Sequence, residues 1–376
     1  MYKGYKIRLF PTKEQEEKLW KHIHTCRFIW NYMLSLQINA YKSGEKYINK
    51  INMKKMLPII KKEDGHKWLT EVSNKSLELI CNDLDTCFMG LFKHTKRWPK
   101  FKSKKKCKLS YPVRTDNSLH FKNDMVLIEK VGYIKINSLF PDGKKYNARV
   151  SFVNGKWILS FCVECEKQVP TDLTDKSIGI DLGIKELATI SFGDEKIVFH
   201  NINKSKRVRS LEHKLKHIDR VMSRKYRANY KKNGTYEKSK NVLKYEKIFK
   251  EINYKLSNIR TDYIHKTTTY IVSLLPKRVV MEKLNLINME KNRHLAKSLR
   301  DLCLSKFIKQ MQYKCEWNGI EFIQADRWYP SSKTCSCCGR IKKDLKLSDR
   351  VYKCECGLEI DRDYNAAINL MRYVSH

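Results

Sequence analysis

Nowhere in its 376 residues does the chain run through the eighteen or so consecutive apolar residues that a membrane helix needs, so it reads as a soluble protein with no membrane partner. It begins MYKGYKIRLF, without the apolar core of a secretory signal, and a reducing compartment is expected. The thirteen cysteines are therefore not read as a disulfide framework, which belongs to small secreted chains. No fixed-period repeat and no low-complexity tract appears. Acidic residues are scarce: 40 stand against 77 Lys and Arg, a formal charge of +37. That imbalance argues against a net-neutral small-molecule enzyme and for a polyanionic partner. A merely Lys-rich proteome would bring matching Glu, and it is missing here. The length is that of two or three domains.

The opening YKIRLF alternates like a strand. Thr12 with Gln15 three residues later is a capping-box pattern that starts a helix, and residues 11 to about 100 read mostly helical. Leu77, Ile80, Leu84, Phe88 and Leu91 keep helical spacing before the basic exit RWPKFKSKKK. From about 107 to 165 the pattern becomes short strands, including a hairpin that turns at Asn154-Gly155. One strand, then helices, then more strands predicts a β-barrel interrupted by a helical insertion. After the linker KQVPTDLTDK, SIGIDLGIKELATISF reads as two strands about a turn at Gly183. Residues 204 to 275 read as a basic helical hairpin turning at Asn233-Gly234, with Val208, Leu211, Leu215, Ile218 and Met222 facing Tyr245, Phe249, Ile252, Leu256 and Ile259. KRVVMEKLNL is a further buried strand, followed by a helix over 295 to 318 and the strand EFIQAD. The whole is an α/β multidomain chain.

Four cysteines have metal-ligand spacing. Cys335 and Cys338 form one short knuckle, and Cys354 and Cys356, fifteen residues on, form a second; tetrahedral zinc takes four thiolates. A structural zinc is expected, since four sulfurs leave no open position for water. Cys337 is the spare. Cys162 and Cys165 also spell C-x-x-C, but inside a strand they face opposite sides and read as packing residues. His22-Ile23-His24 matches the paired-histidine pattern of single-strand nickases and transposases. Two residues apart on a helix, the imidazoles point apart, so a shared metal is rejected.

Three acids at element ends carry more weight. Asp181 closes an apolar strand in IGIDLG, Glu282 closes another in VVMEKL, and Asp361 or Asp363 opens the last helix in DRDYNAAINL. Buried carboxylates are costly without partners. Convergence on two Mg²⁺ would supply them, with the ions clamping the attacking and leaving oxygens of a phosphodiester. Strand Asp, strand Glu and helix Asp on a basic chain argue for an RNase H-like nuclease core. Taken singly, Asp361 reads equally well as a helix cap.

These same stretches, namely YKIRLFPTKEQEEKL with FIWNYML, WPKFKSK, IGIDLGIKELAT, IRTDYIHK, VVMEKLNLINM, and ADRWYPSSKTCSCCG leading into CGLEIDRDYNAAINL, resemble the TnpB family nearly end to end. Its members are OrfB-type transposon-encoded RNA-guided DNA endonucleases related to type V CRISPR nucleases. The resemblance implies a wedge-like β-barrel (1–10 and 107–170), a helical recognition lobe (11–106), a RuvC-like nuclease (171–329 and 357–376) and a zinc-ribbon insert (330–356). It places Asp181 and Glu282 on catalytic, Mg-binding positions. It selects Asp363, two before Asn-Ala-Ala, as the third ligand and leaves Asp361 as the cap. The C-x-C second knuckle departs from the commoner C-x-x-C form. The expected partners are a guide RNA, a double-stranded target DNA and its displaced single strand, in the cytoplasm of a prokaryote beside the nucleoid. A catalytically silent RNA-guided DNA-binding protein, repressor-like, and an accessory transposase are the competing functions.

Overall fold

A computed structural model of the protein describes residues 1–374 apart from 105, 117–118, 138–140, 167–171, 231–237 and 347–348. The chain forms two compact units, Met1–Glu166 and Lys167–His376. The predicted boundary at 170/171 lies outside the described residues, as does the turn expected at Asn233-Gly234.

In the first unit, β1 (Tyr2–Phe10) buries Ile7 and Leu9 on alternate positions. Thr12 then caps α1 (Lys13–Lys42) with the full reciprocal box: its hydroxyl accepts from the Gln15 N–H while the Gln15 side chain accepts from the Thr12 N–H. α2 (Lys50–Lys62) starts on Asn49 and α3 (Asn74–Phe92) on Ser73. The predicted stripe of α3 is buried at Leu77, Ile80, Leu84 and Phe88. Six strands follow: β2 (Ser110–Pro112), β3 (Leu119–Lys122), β4 (Met125–Ile128), β5 (Gly132–Ile136), β6 (Lys145–Val153) and β7 (Lys156–Glu164). β6 and β7 are the expected hairpin, and its two turn residues Asn154 and Gly155 take φ of 50° and 77°, which the tight turn requires. The sheet is antiparallel in the order β2-β6-β7-β1-β5-β4-β3. The chain's first strand thus sits in the middle, and the three α-helices are inserted between it and the rest. The edge strands β2 and β3 do not pair with each other among the described residues.

The two histidines of α1 have different environments. His22 is buried, stacked on Tyr111, with Nδ1 2.7 Å from the Lys18 carbonyl and Nε2 accepting from the Ser73 N–H at 3.2 Å. His24 stacks on Trp20 instead.

The second unit begins with an antiparallel meander, β8 (Thr174–Leu182), β9 (Glu186–Phe192) and β10 (Glu195–His200). Helices α4 (Lys206–Ala228) and α5 (Lys240–Ser273) pack together through Val208, Ile218, Met222, Ile252 and Leu256, on the spacing read from sequence. β11 (Pro276–Glu282) is followed by α6 (Leu286–Met289), α7 (Arg293–Leu302), α8 (Leu304–Trp317) and β12 (Glu321–Ala325). The single helix expected over 295–318 is two, because Cys303 adopts φ 54°, a left-handed conformation that a right-handed helix cannot continue through. The chain closes with β13 (Val351–Lys353), β14 (Glu359–Asp361) and α9 (Arg362–Met371).

Five of these strands form a sheet in the order β10-β9-β8-β11-β12, with β8, β11 and β12 parallel. Ile178, Ile180, Val279 and Met281 face one side and share a core with Ile264 and Ile271 of α5, Leu299 of α7, and Phe307 and Met311 of α8. Val280 faces the other side, where it packs with Ala325 and Leu370 of α9. Among the described residues no helix is long and apolar enough to cross a membrane.

Candidate active site and metal centre

Parallel pairing brings the carboxyl ends of β8 and β11 to the same edge of the sheet. Ile180 is opposite Met281, so Asp181 and Glu282 follow as neighbours. Strand alternation then sets their direction. Gly179 meets the backbone of α9, and Asp181, two residues on, shares its face; Glu282 shares the face of Val280, which packs against Leu370. Both acids therefore face α9, whose first turn carries Asp363.

This placement sets the electrostatics of the site. Burial pushes the Asp181 carboxyl up to about 8, Asp363 and then Glu282 add like-charge repulsion, and only Arg362 offsets them appreciably. Burial also raises Glu282 above the usual carboxylate range. Asp363 has Arg362 Nη2 at 3.4 Å. Burial disfavours the ionised forms of Asp181 and Glu282, and a bound divalent cation would favour them. Their hard oxygens fit magnesium or a similar divalent ion.

Asp361 does something different. Its side chain accepts from the Tyr364 N–H at 3.0 Å and so caps α9, with Lys196 Nζ 3.7 Å away. The two aspartates can be separated experimentally. Asp363→Ala is expected to abolish metal-dependent chemistry at this centre, whereas Asp361→Ala costs a cap, about 1 kcal/mol of stability, and leaves chemistry within about tenfold. The reverse pattern in a cleavage assay would mean that the ligand has been misassigned.

The cysteines form a second centre. The Sγ atoms of Cys335, Cys338, Cys354 and Cys356 all lie within 4.8 Å of one another, with Cys335–Cys356 at 3.7 Å and Cys338–Cys354 at 3.6 Å. Four sulfurs at about 2.3 Å around a tetrahedral zinc are about 3.8 Å apart, so the cluster has the dimensions zinc requires. The tighter C-x-C knuckle presents both its sulfurs to it. Cys337 is exposed and outside the cluster. Tyr352, fully buried, donates to the Lys333 carbonyl at 3.0 Å and ties the second half of the ribbon to the first. The last thiolate, Cys356, and the carboxylate of Asp363 are thus separated along the chain by six residues, three of them in β14, which pairs with β13 and runs directly into α9.

Sequence reading missed three side chains that join the two centres. On α9, Asn365 accepts from the Ser336 N–H at 3.0 Å and donates to the Thr334 carbonyl at 2.7 Å. Asn369 donates to the Ser331 and Thr334 carbonyls, both at 2.7 Å, and Arg372 donates to the Ser336 carbonyl. Both asparagines are buried. The signal was present in NAAIN: two poor helix formers four apart, hence on one helix face, flanking the alanines that pack on the sheet. The first knuckle therefore grips the helix that carries Asp363. Asn365→Ala is expected to cost about 1–3 kcal/mol by stranding buried backbone groups. Cys335→Ser or chelation should loosen the same grip and lower the melting temperature. An unchanged melting curve after chelation would remove the cluster from the supports of the fold.

Comparison with known proteins gives consistent relationships. Residues 305–370 match the family described as Cas12f1-like, TNB domain, residues 160–293 a probable transposase family, and residues 1–46 a helix-turn-helix domain family. The last description does not fit the local structure, in which these residues form β1 and the single unbroken helix α1. The chain is 29% identical over 98% of its length to a Streptomyces pristinaespiralis protein named "Putative RNA-guided DNA endonuclease", covering 88% of that protein. It is 28% identical over 98% of its length to the Escherichia coli K12 protein of that name, InsQ, covering 91% of it. A TnpB-like protein of Acanthamoeba polyphaga mimivirus, L770, is 25% identical, with 98% and 72% of the two chains covered. Among solved structures, the protein of a Cas12f1-sgRNA-target DNA complex is similar in fold, with a TM-score of 0.62 at 12% identity and 99% and 98% of the two chains covered.

Proposed function

Since the chain belongs to the TnpB family, we propose that it is a transposon-encoded RNA-guided DNA endonuclease whose nuclease centre is Asp181, Glu282 and Asp363. The observation that carries this reading is the convergence of the three acids, two at the parallel edge of one sheet and one on the helix packed across it, with the Asp181 carboxyl pushed up to about 8 by burial, Asp363 and Glu282. The strand order β10-β9-β8-β11-β12, a meander continued by two parallel strands, supports an RNase H-like (RuvC) core. The seven-stranded sheet with its inserted helices supports the wedge and recognition lobe.

Asp181, Glu282 and Asp363 would hold two magnesium ions, and Cys335, Cys338, Cys354 and Cys356 one zinc. Bound magnesium supplies Lewis acidity for in-line phosphodiester hydrolysis. The protein's own residues position it: β8 and β11 set the spacing of Asp181 and Glu282, and α9, held by the first knuckle, sets that of Asp363. Arg362 leaves the centre less negative than three acids alone would make it. Target sequence is read by base pairing to a guide RNA, and protein side chains read a short adjacent motif in the duplex. The exposed Lys and Arg of α4 and α5 offer a surface for the phosphate backbone, and displaced single strands are drawn to the centre by charge and stacking.

The test is to purify the chain with its copurifying RNA, sequence that RNA, and incubate the complex with a labelled matching duplex and Mg²⁺. A hairpin-rich transcript ending in a variable segment and discrete DNA fragments are expected. A shifted band without fragments would make the protein a silent RNA-guided binder.

A further inference from the structure

We propose that the cavity that α1 forms with Lys102, Cys107, Lys108 and Ser110 and with Arg149 of β6 is a phosphate site that takes one backbone phosphodiester of a nucleic acid. The cavity measures about 390 Å³ and is lined by Arg27, Lys102, Lys108 and Arg149 together with Ile23, Cys26, Ile80, Cys107 and Ser110. Four cations line it and no acid does. Its volume accommodates a phosphate with its flanking sugar but not a folded segment of protein.

The cations are held there, not merely nearby. Asn31 clamps the backbone of Lys102 from both sides, donating to its carbonyl at 3.0 Å and accepting from its N–H at 2.8 Å. Trp30 donates to the Lys100 carbonyl at 3.1 Å, and Lys102 Nζ lies 3.4 Å from the centre of the Trp30 ring. The WPKFKSK stretch is thereby pinned along α1. Arg149 is oriented by Asp83 at 2.9 Å, an ion pair that needs nothing more. Arg27 lacks this satisfaction: its Nη1 is buried and finds no hydrogen-bond partner among the described residues. A stranded buried guanidinium nitrogen is costly, and a planar donor fork in a cationic cavity matches a phosphate oxygen pair. Burial pulls the Lys102 ammonium down, Asp83 opposes this and Arg149 adds to it, so an anion seated here would relieve the cluster. Lys100, Lys104, Lys106 and Lys108 are exposed along the same segment and make its approach electropositive.

This inference deepens the nuclease reading and rests on it for the source of the phosphate, which is either the guide RNA or the target duplex. The variants are Arg27→Gln and the surface change Lys108→Ala, the second guarding against a folding defect in the first. Affinity is measured across a salt series for the copurifying RNA on the RNA-free chain and for the matching duplex on the complex. Arg27→Gln is expected to weaken one of these at least about tenfold and to make the slope of log K against log salt shallower by about 0.7 for single-stranded RNA or about 0.9 for duplex DNA. Lys108→Ala should move the same slope in the same direction. Whichever nucleic acid responds is the source. Inorganic phosphate should raise the melting temperature of the wild-type chain more than that of Arg27→Gln. Both variants binding both nucleic acids with wild-type affinity and slope would overturn the site while leaving the nuclease reading intact. If Arg27→Gln does not fold, an unchanged slope in Lys108→Ala overturns it alone. A wild-type chain that binds neither nucleic acid would sink both.

Discussion

Asp181→Ala is expected to slow target-DNA cutting by the ribonucleoprotein roughly a thousandfold or more, since a divalent-ion clamp supplies several kcal/mol and each 1.36 kcal/mol is tenfold in rate. Binding of guide and target should stay within about twofold, because the carboxylate lies at the sheet edge among other acids and not on a basic surface. Stability should move the opposite way. A carboxyl raised to about 8 by burial and by its neighbours is one the ion-free fold is strained to ionise at neutral pH. Removing it takes a buried carboxyl with a raised pKa out of the centre, so the ion-free variant should melt at or above the wild-type temperature while losing the stabilisation that Mg²⁺ gives the wild type. Higher stability with lost cutting is the signature of a functional acid; lower stability with normal cutting would mark Asp181 as structural and end the assignment.

Gly179→Ala should cost about a hundredfold in cutting with no change in any ligand. A Cβ built at Gly179 lies 2.0 Å from the Ala367 carbonyl oxygen and 2.3 Å from the Met371 nitrogen, both backbone atoms of α9 and its end. Neither can swing aside as a side chain would, so the helix itself must shift. Glycine to alanine in a strand ordinarily gains about 0.4–1 kcal/mol through the unfolded state, but overpacking costs about 1–3 kcal/mol, so the loss wins. The helix that shifts carries Asp363, and a displacement of about 1 Å at a reacting centre is worth about a hundredfold. Melting temperature and Mg²⁺-dependent cutting of Gly179→Ala decide it. Cutting at the wild-type rate would show that α9 tolerates the shift or that its placement does not govern the chemistry.

The readable parts of this chain were those whose physics is local. The capping box at Thr12, the hairpin at Asn154-Gly155 and the apolar stripes of α3, α4 and α5 each depend on residues a few positions apart, and each appears where the spacing put it. Strands β3, β10, β13 and β14 were not resolved from sequence, being short and half exposed. The break at Cys303 was invisible because the apolar spacing runs on through it while the backbone does not.

The separation of thiolates from the carboxylate near the C-terminus is legible in the string of residues. Thiolates two and three apart make knuckles by local geometry, and four of them fill a tetrahedral zinc shell without the carboxylate just beyond. The basic excess and the acids at element ends were likewise written there. Only the tertiary structure sets Asp181 and Glu282 at one sheet edge, through the register of parallel strands far apart in sequence, and seats α9, which carries Asp363, on Gly179 of the same strand as Asp181. The same holds for Asn365 and Asn369, whose partners lie on the ribbon, and for Arg27, whose missing partner is apparent only once the cavity around it has formed. Spacing reports what a residue can do to its near neighbours; convergence of distant groups depends on packing that no short window contains.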